Sequence, residues 1–270
     1  MEGDAMRLSA LALCLFILGF VPSARAEEVD LELVLAVDIS YSMDPDELRL
    51  QREGYREAIT SRAVLDAIRS GVHGRIALTY VEWAGSAHQS VIVDWQVIDG
   101  PESAGRFAAA LDRSTPERAF RTSISGALTF SADLLTRSGH SGIRQVIDVS
   151  GDGANNQGPV VTSARDRVLA QGISINGLPL ALKEGGAMAM RAEDLEEYYR
   201  SCVIGGPGAF VVPVRDAASF GEAVRTKLVL EISGSQPAPS LVPVQAAWVN
   251  CSIGEIMWGE RYGDFGSDTP

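Results

Sequence analysis

Asp38, Ser40 and Ser42 stand at alternate positions where an aliphatic run ends, in Val34-Leu35-Ala36-Val37-Asp38-Ile39-Ser40-Tyr41-Ser42-Met43. One carboxylate and two neutral hydroxyls at that spacing suit a hard divalent cation, which prefers oxygen ligands. The same residues also suit a plainer role, in which Asp38 or Ser42 caps the next helix. Two further oxygen donors follow strand or loop ends. Thr122 closes a polar loop and opens the small-residue stretch Ser123-Ile124-Ser125-Gly126-Ala127; Asp152 ends a strand in Ser150-Gly151-Asp152-Gly153.

The elements around these residues decide whether they can meet. The Val- and Leu-rich run before Asp38 predicts a strand buried on both faces. After it, Asp44-Pro45-Asp46-Glu47 predicts a capped helix start, continuing with helical spacing through residues 48–68. Strands are predicted over residues 75–83 and 88–95, and the short Gly85-Ser86 link makes that pair antiparallel, at one edge of the sheet. Helices over 99–111 and 122–136, a strand over 143–150, a helix over 159–170 and a strand over 172–180 follow. A short helix at 192–201, a last strand at 209–214 and a final helix at 216–232 complete the pattern. Strands alternating with helices imply an α/β fold, doubly wound, with a mainly parallel sheet flanked by helices on both faces. In such a sheet the ends carrying Asp38, Thr122 and Asp152 share one edge, where ligands bind.

Asp-x-Ser-x-Ser, a lone Thr before a small-residue helix, and a strand ending in Asp-Gly together resemble the von Willebrand factor A-like domain. Its metal-ion-dependent adhesion site matches at all five positions: Asp38, Ser40, Ser42, Thr122 and Asp152. The resemblance covers roughly residues 30–232. The stretches at 81–83, 150–156 and 202–210 are similar to a group of secreted bacterial proteins of unknown function. The resemblance implies that Ser40, Ser42 and Thr122 often bind the ion directly, while Asp38 and Asp152 act partly through water. It also implies a carboxylate from a partner protein as the incoming ligand. With only two formal charges among the donors, the ion keeps much of its positive charge. Magnesium is the default, with manganese or calcium as alternatives.

The whole chain bounds the rest. Its 270 residues suit one α/β domain with an appendage, and 46% hydrophobic residues are ordinary for a globular protein. A net charge of -12 supplies no basic stripe for nucleic acid. Residues 1–26 read as a secretory signal peptide: Arg7, an apolar run over 8–21, then Ala24-Arg25-Ala26. The run is short for a membrane span, so the expected location is periplasmic or extracellular. Residues 27–232 form the expected domain, and 233–270 a Pro-rich linker and tail, with the last eight residues reading as disordered. Trp248 and Trp258 suggest that the tail packs on its own domain. Export leaves Cys202 and Cys251, which pair as a candidate disulfide.

Weaker features take plainer readings. Asn155 and Asn156 read as turn and cap residues beside the site rim. Glu82 reads as a structural hydrogen-bonding group, and 205–208 as a turn before a strand. Ser131 and Asp133 lack a Gly-x-Ser-x-Gly elbow. The leading functional expectation is a non-enzymatic, secreted, cation-dependent protein-binding domain that grips an acidic residue of a partner. A structural subunit of an envelope assembly, with a fold-stabilising ion, is the alternative. A metal-dependent phosphatase or other hydrolase ranks third, because Ser40 stands where such an enzyme wants a second carboxylate.

Overall fold

The computed structural model describes residues 26–113, 117–182, 190–235 and 249–262. The expected signal peptide, most of the Pro-rich linker and the last eight residues lie outside them. In chain order the elements are β1 (Glu27–Asp38), α1 (Pro45–Thr60), α2 (Arg62–Arg69), β2 (Ile76–Trp83), β3 (Gln89–Ile98), α3 (Pro101–Leu111) and α4 (Ile124–Thr136). Then come β4 (His140–Gly151), α5 (Val161–Leu169), β5 (Ser174–Pro179), α6 (Ala192–Tyr198), α7 (Phe220–Ser233) and α8 (Ile253–Tyr262). A π-helical turn, Tyr199–Val203, continues α6, and a short 3-10 turn, Ala217–Ser219, precedes α7.

The five strands run β3-β2-β1-β4-β5. Every pairing is parallel except β2 with β3, so β3 is the antiparallel edge. Central β1 is buried from Val29 to its end, as its unbroken aliphatic run requires. Its residues alternate between two cores. Leu31, Leu33, Leu35 and Val37 join Tyr55 of α1, Phe107 of α3 and Phe220 of α7. Val34 and Ala36 face the other way, toward Leu128 of α4, Val161 of α5 and Tyr198. Helices therefore cover both faces of the sheet.

Two elements differ from their sequence reading. The helix expected over 48–68 breaks at Ser61, whose hydroxyl caps α2 by accepting from Val64 N–H. Its N-terminus is as expected: Asp44 and Glu47 form a reciprocal capping box around Pro45. The strand expected over 209–214 is reduced to bridges of Val211 to Gly177 and Val214 to Leu180. Pro213 has no N–H to continue a ladder there. The tail does fold back: α8 is joined to the π turn by the Cys202–Cys251 disulfide, with Cα atoms 5.5 Å apart.

Candidate metal centre

The site lies where β1 and β4 end. Asp38 is the last residue of β1 and is wholly buried. Its Oδ1 accepts a 2.7 Å bond from Ser40 N–H, which turns the chain sharply beyond the strand. Its backbone carbonyl accepts from Gln51 Nε2 on α1 at 3.1 Å, and Gln51 Oε1 lies 3.3 Å from the Ser150 hydroxyl of β4. The paired ends of the two central strands are thus held from above by one side chain. The Ser40 and Ser42 hydroxyls lie 2.8 Å apart, and Ser42 Oγ donates to Asp152 Oδ1 at 2.6 Å.

Thr122 arrives from a different loop. Ala119 N–H bonds the Ile39 carbonyl at 3.2 Å, and Ser123 N–H bonds the Ala84 carbonyl at 2.8 Å. Asn156 then grips Thr122 from both sides: its Oδ1 accepts from Thr122 N–H at 2.9 Å, and its own N–H bonds the Thr122 carbonyl at 2.8 Å. Thr122, Ser40, Ser42 and Asp152 line one cleft of about 840 Å³, with Asp38 beneath them. All five residues singled out by spacing therefore converge.

Burial, and then the Asp152 charge, push the Asp38 carboxyl well above its usual range. Asp38 Oδ2 has no hydrogen-bond partner. Gly151 makes this close packing feasible: a Cβ there would sit 2.8 Å from Asp38 Oδ2 and 2.9 Å from Tyr199 Oη. Two carboxylates and three hydroxyls form an all-oxygen donor set of the kind that suits magnesium, manganese or calcium. An orphaned buried carboxylate oxygen, beside a second carboxylate, is the feature such an ion accounts for.

Several residues around the site were not singled out by spacing. Asn155 is a cap as expected, its Oδ1 accepting from Ser125 N–H at the start of α4. Asn156, in contrast, is the residue that fixes Thr122. Glu82 is a structural group, buried and paired with Arg52 at 2.7 Å. The largest omission is α8. Gly254, Met257, Trp258 and Arg261 form one wall of the cleft. Of the two tryptophans that mark the tail as packed, Trp248 lies outside the described residues, and a helix at Trp258 beside the cleft has no local signature.

The chain belongs to the family described as "Protein of unknown function (DUF1194)", which matches residues 28–236. Its fold is that of the von Willebrand factor A-like class. It is similar to a von Willebrand factor type A structure from Catenulispora acidiphila, at 15% identity and TM-score 0.51, covering 76% of this chain and 43% of that one. The pilus adhesin SpaC from Lactobacillus rhamnosus GG is similar at 13% identity and TM-score 0.56, over 76% of this chain and 30% of that one. Proximal thread matrix protein 1 from the mussel byssus, with a zinc-occupied MIDAS motif, is similar at 12% identity and TM-score 0.53, over 78% and 49%. The chain thus spans half or less of the length of these three solved chains. No curated protein matches it. Among the described residues, no helix is long and apolar enough to cross a membrane.

Proposed function

We propose that this chain is an exported, divalent-cation-dependent protein-binding domain. Asp38, Ser40, Ser42, Thr122 and Asp152 hold the ion, and the ion grips an Asp or Glu side chain of a partner protein. One observation carries this reading: Asp38 is fully buried beside a second carboxylate, under a hydroxyl-lined cleft, with Oδ2 unpartnered. Magnesium is the default ion for this all-oxygen set, with manganese or calcium as alternatives.

Similar solved structures support the coarser part. One has a zinc-occupied site of this type and another is a pilus adhesin. The Cys202–Cys251 bridge fits an oxidising compartment outside the cytoplasm. A binding role is favoured over hydrolysis because Ser40, two positions after Asp38, offers no carboxylate for general acid work.

Chelation separates this reading from a purely structural ion. Crosslinking and pull-down from native envelope should recover an acidic partner surface with magnesium, and lose it with chelator or with Asp38→Ala plus Asp152→Ala. If chelation lowers the melting temperature but leaves capture intact, the ion only supports the fold.

A further inference from the structure

The cleft has apolar walls that the ion alone does not explain. Tyr41 and Phe120 stack face to face, with ring centroids 4.2 Å apart at 16°. They are 48% and 69% exposed, which is high for a packed aromatic pair next to a polar cluster. Met257 and Trp258 of α8, with Leu182 and Met190, also line the cleft.

The α8 wall is firmly placed. The disulfide ties its start to the π turn that carries Tyr199. Asn155 Nδ2 donates to Glu255 Oε1 at 2.7 Å. At Gly254 a Cβ would meet the Asn155 carbonyl oxygen at 2.2 Å, so the helix lies directly on the loop after β4. The Arg121 guanidinium sits 3.4 Å over the Trp258 ring. Arg121 has φ 74, the one non-glycine residue with positive φ among those described, and it immediately precedes Thr122. Strain of this kind persists where the surroundings over-determine it, often beside ligand clamps. The wall lies outside residues 28–236 that define the family match.

We infer that the ligand is a peptide segment in which the ion-binding Asp or Glu is flanked by large apolar side chains. One neighbour lies on the Tyr41–Phe120 plate and the other against Met257 and Trp258. Arg121 and Arg261 balance Glu47 and Asp152 in the cleft lining, so the charge of the ion tips the cleft toward an acidic segment. Exposed aromatic anchors around a polar centre are where interface energy concentrates. This inference rests on the ion reading proposed above.

The test uses the full mature chain and two capped pentapeptides with one central aspartate, flanked on both sides by leucine or by glycine. Magnesium affinity is measured first, without peptide, so that failure of the ion reading is seen separately. With saturating magnesium, the leucine peptide should bind about tenfold tighter or more, the size expected of one well-buried aliphatic side chain. Phe120→Ala and Trp258→Ala should each reduce the ratio of leucine-peptide to glycine-peptide affinity. Phe120 is exposed, so that variant is expected to fold even if the other does not. Equal affinity for both peptides, or binding of neither, overturns the inference even where magnesium binds. So does leucine-peptide binding that ignores magnesium. Binding that appears only after removal of residues 263–270 overturns it too, and assigns the cleft to the chain's own Asp264 and Phe265.

Discussion

Two pairs of neighbouring carboxylates are built into opposite faces of the same strand region, and the chain treats them differently. Asp148 of β4 and Glu231 of α7 are fully buried, and Lys227 lies between them. Its ammonium is 2.7 Å from Asp148 and in direct contact with Glu231. Asn176 adds a 3.0 Å bond to Glu231 and holds Phe210 N–H with its own oxygen. Asp38 and Asp152 also repel each other, and the Ser40, Ser42 and Thr122 hydroxyls line the cleft beside them. Where the cluster is sealed, the sequence supplies its own cation. Where it opens on a cleft, three hydroxyl oxygens stand with the two carboxylates. That contrast is the physical basis for reading the second cluster as a place for a cation from solution.

The sharpest way to break the comparison is to remove the internal cation. Lys227→Met leaves Asp148 and Glu231 buried together and should cost about 3–5 kcal/mol in urea unfolding, as expected when one partner of a buried ion pair is lost. Asp38→Asn, measured in chelator, should do the opposite and raise stability, because it removes a carboxylate that burial, and then the Asp152 charge, disfavours. A large loss from Asp38→Asn without any divalent ion would mean that the two clusters are alike.

A smaller effect concerns pH. Burial, and then the Asp148 charge, push Glu231 up from 4.5 to about 7. Over that window the folded chain holds a proton that the unfolded chain has released. Glu231 therefore makes stability fall as pH rises from about 4.5 to about 7, with its full benefit present on the acid side. Glu231→Gln should flatten that decline in melting temperature relative to wild type. An unchanged slope would remove Glu231 as its source.

The two clusters also differ in how far the sequence reveals them. Asp38, Ser40 and Ser42 are legible because a buried strand ends abruptly and its polar residues keep a period of two. Thr122 and Asp152 are legible as the first polar groups after other elements of the same sheet edge. Lys227 and Glu231, four apart on a helix, read as an ordinary surface pair. Only the packing of α7 over the sheet buries them with Asp148. Asn156 is hidden for a similar reason, since its grip on Thr122 spans 34 residues and leaves no local pattern. The mainly parallel sheet, its antiparallel edge and both helical layers follow from element alternation and one short link, whereas the break at Ser61 and the interrupted segment at 209–214 depend on one cap and one proline. The helix beside the site was invisible beyond its tryptophan, because its position is set by a disulfide and by contacts with the 154–155 backbone.

The central claim is that the open cluster takes up a divalent cation. Calorimetric titration of magnesium into the purified mature chain tests it most directly. Saturable binding at a single site is expected, lost with Asp38→Ala plus Asp152→Ala and retained with Lys227→Met at temperatures where that variant stays folded. No binding by wild type, or equal binding by the double-alanine variant, would contradict it.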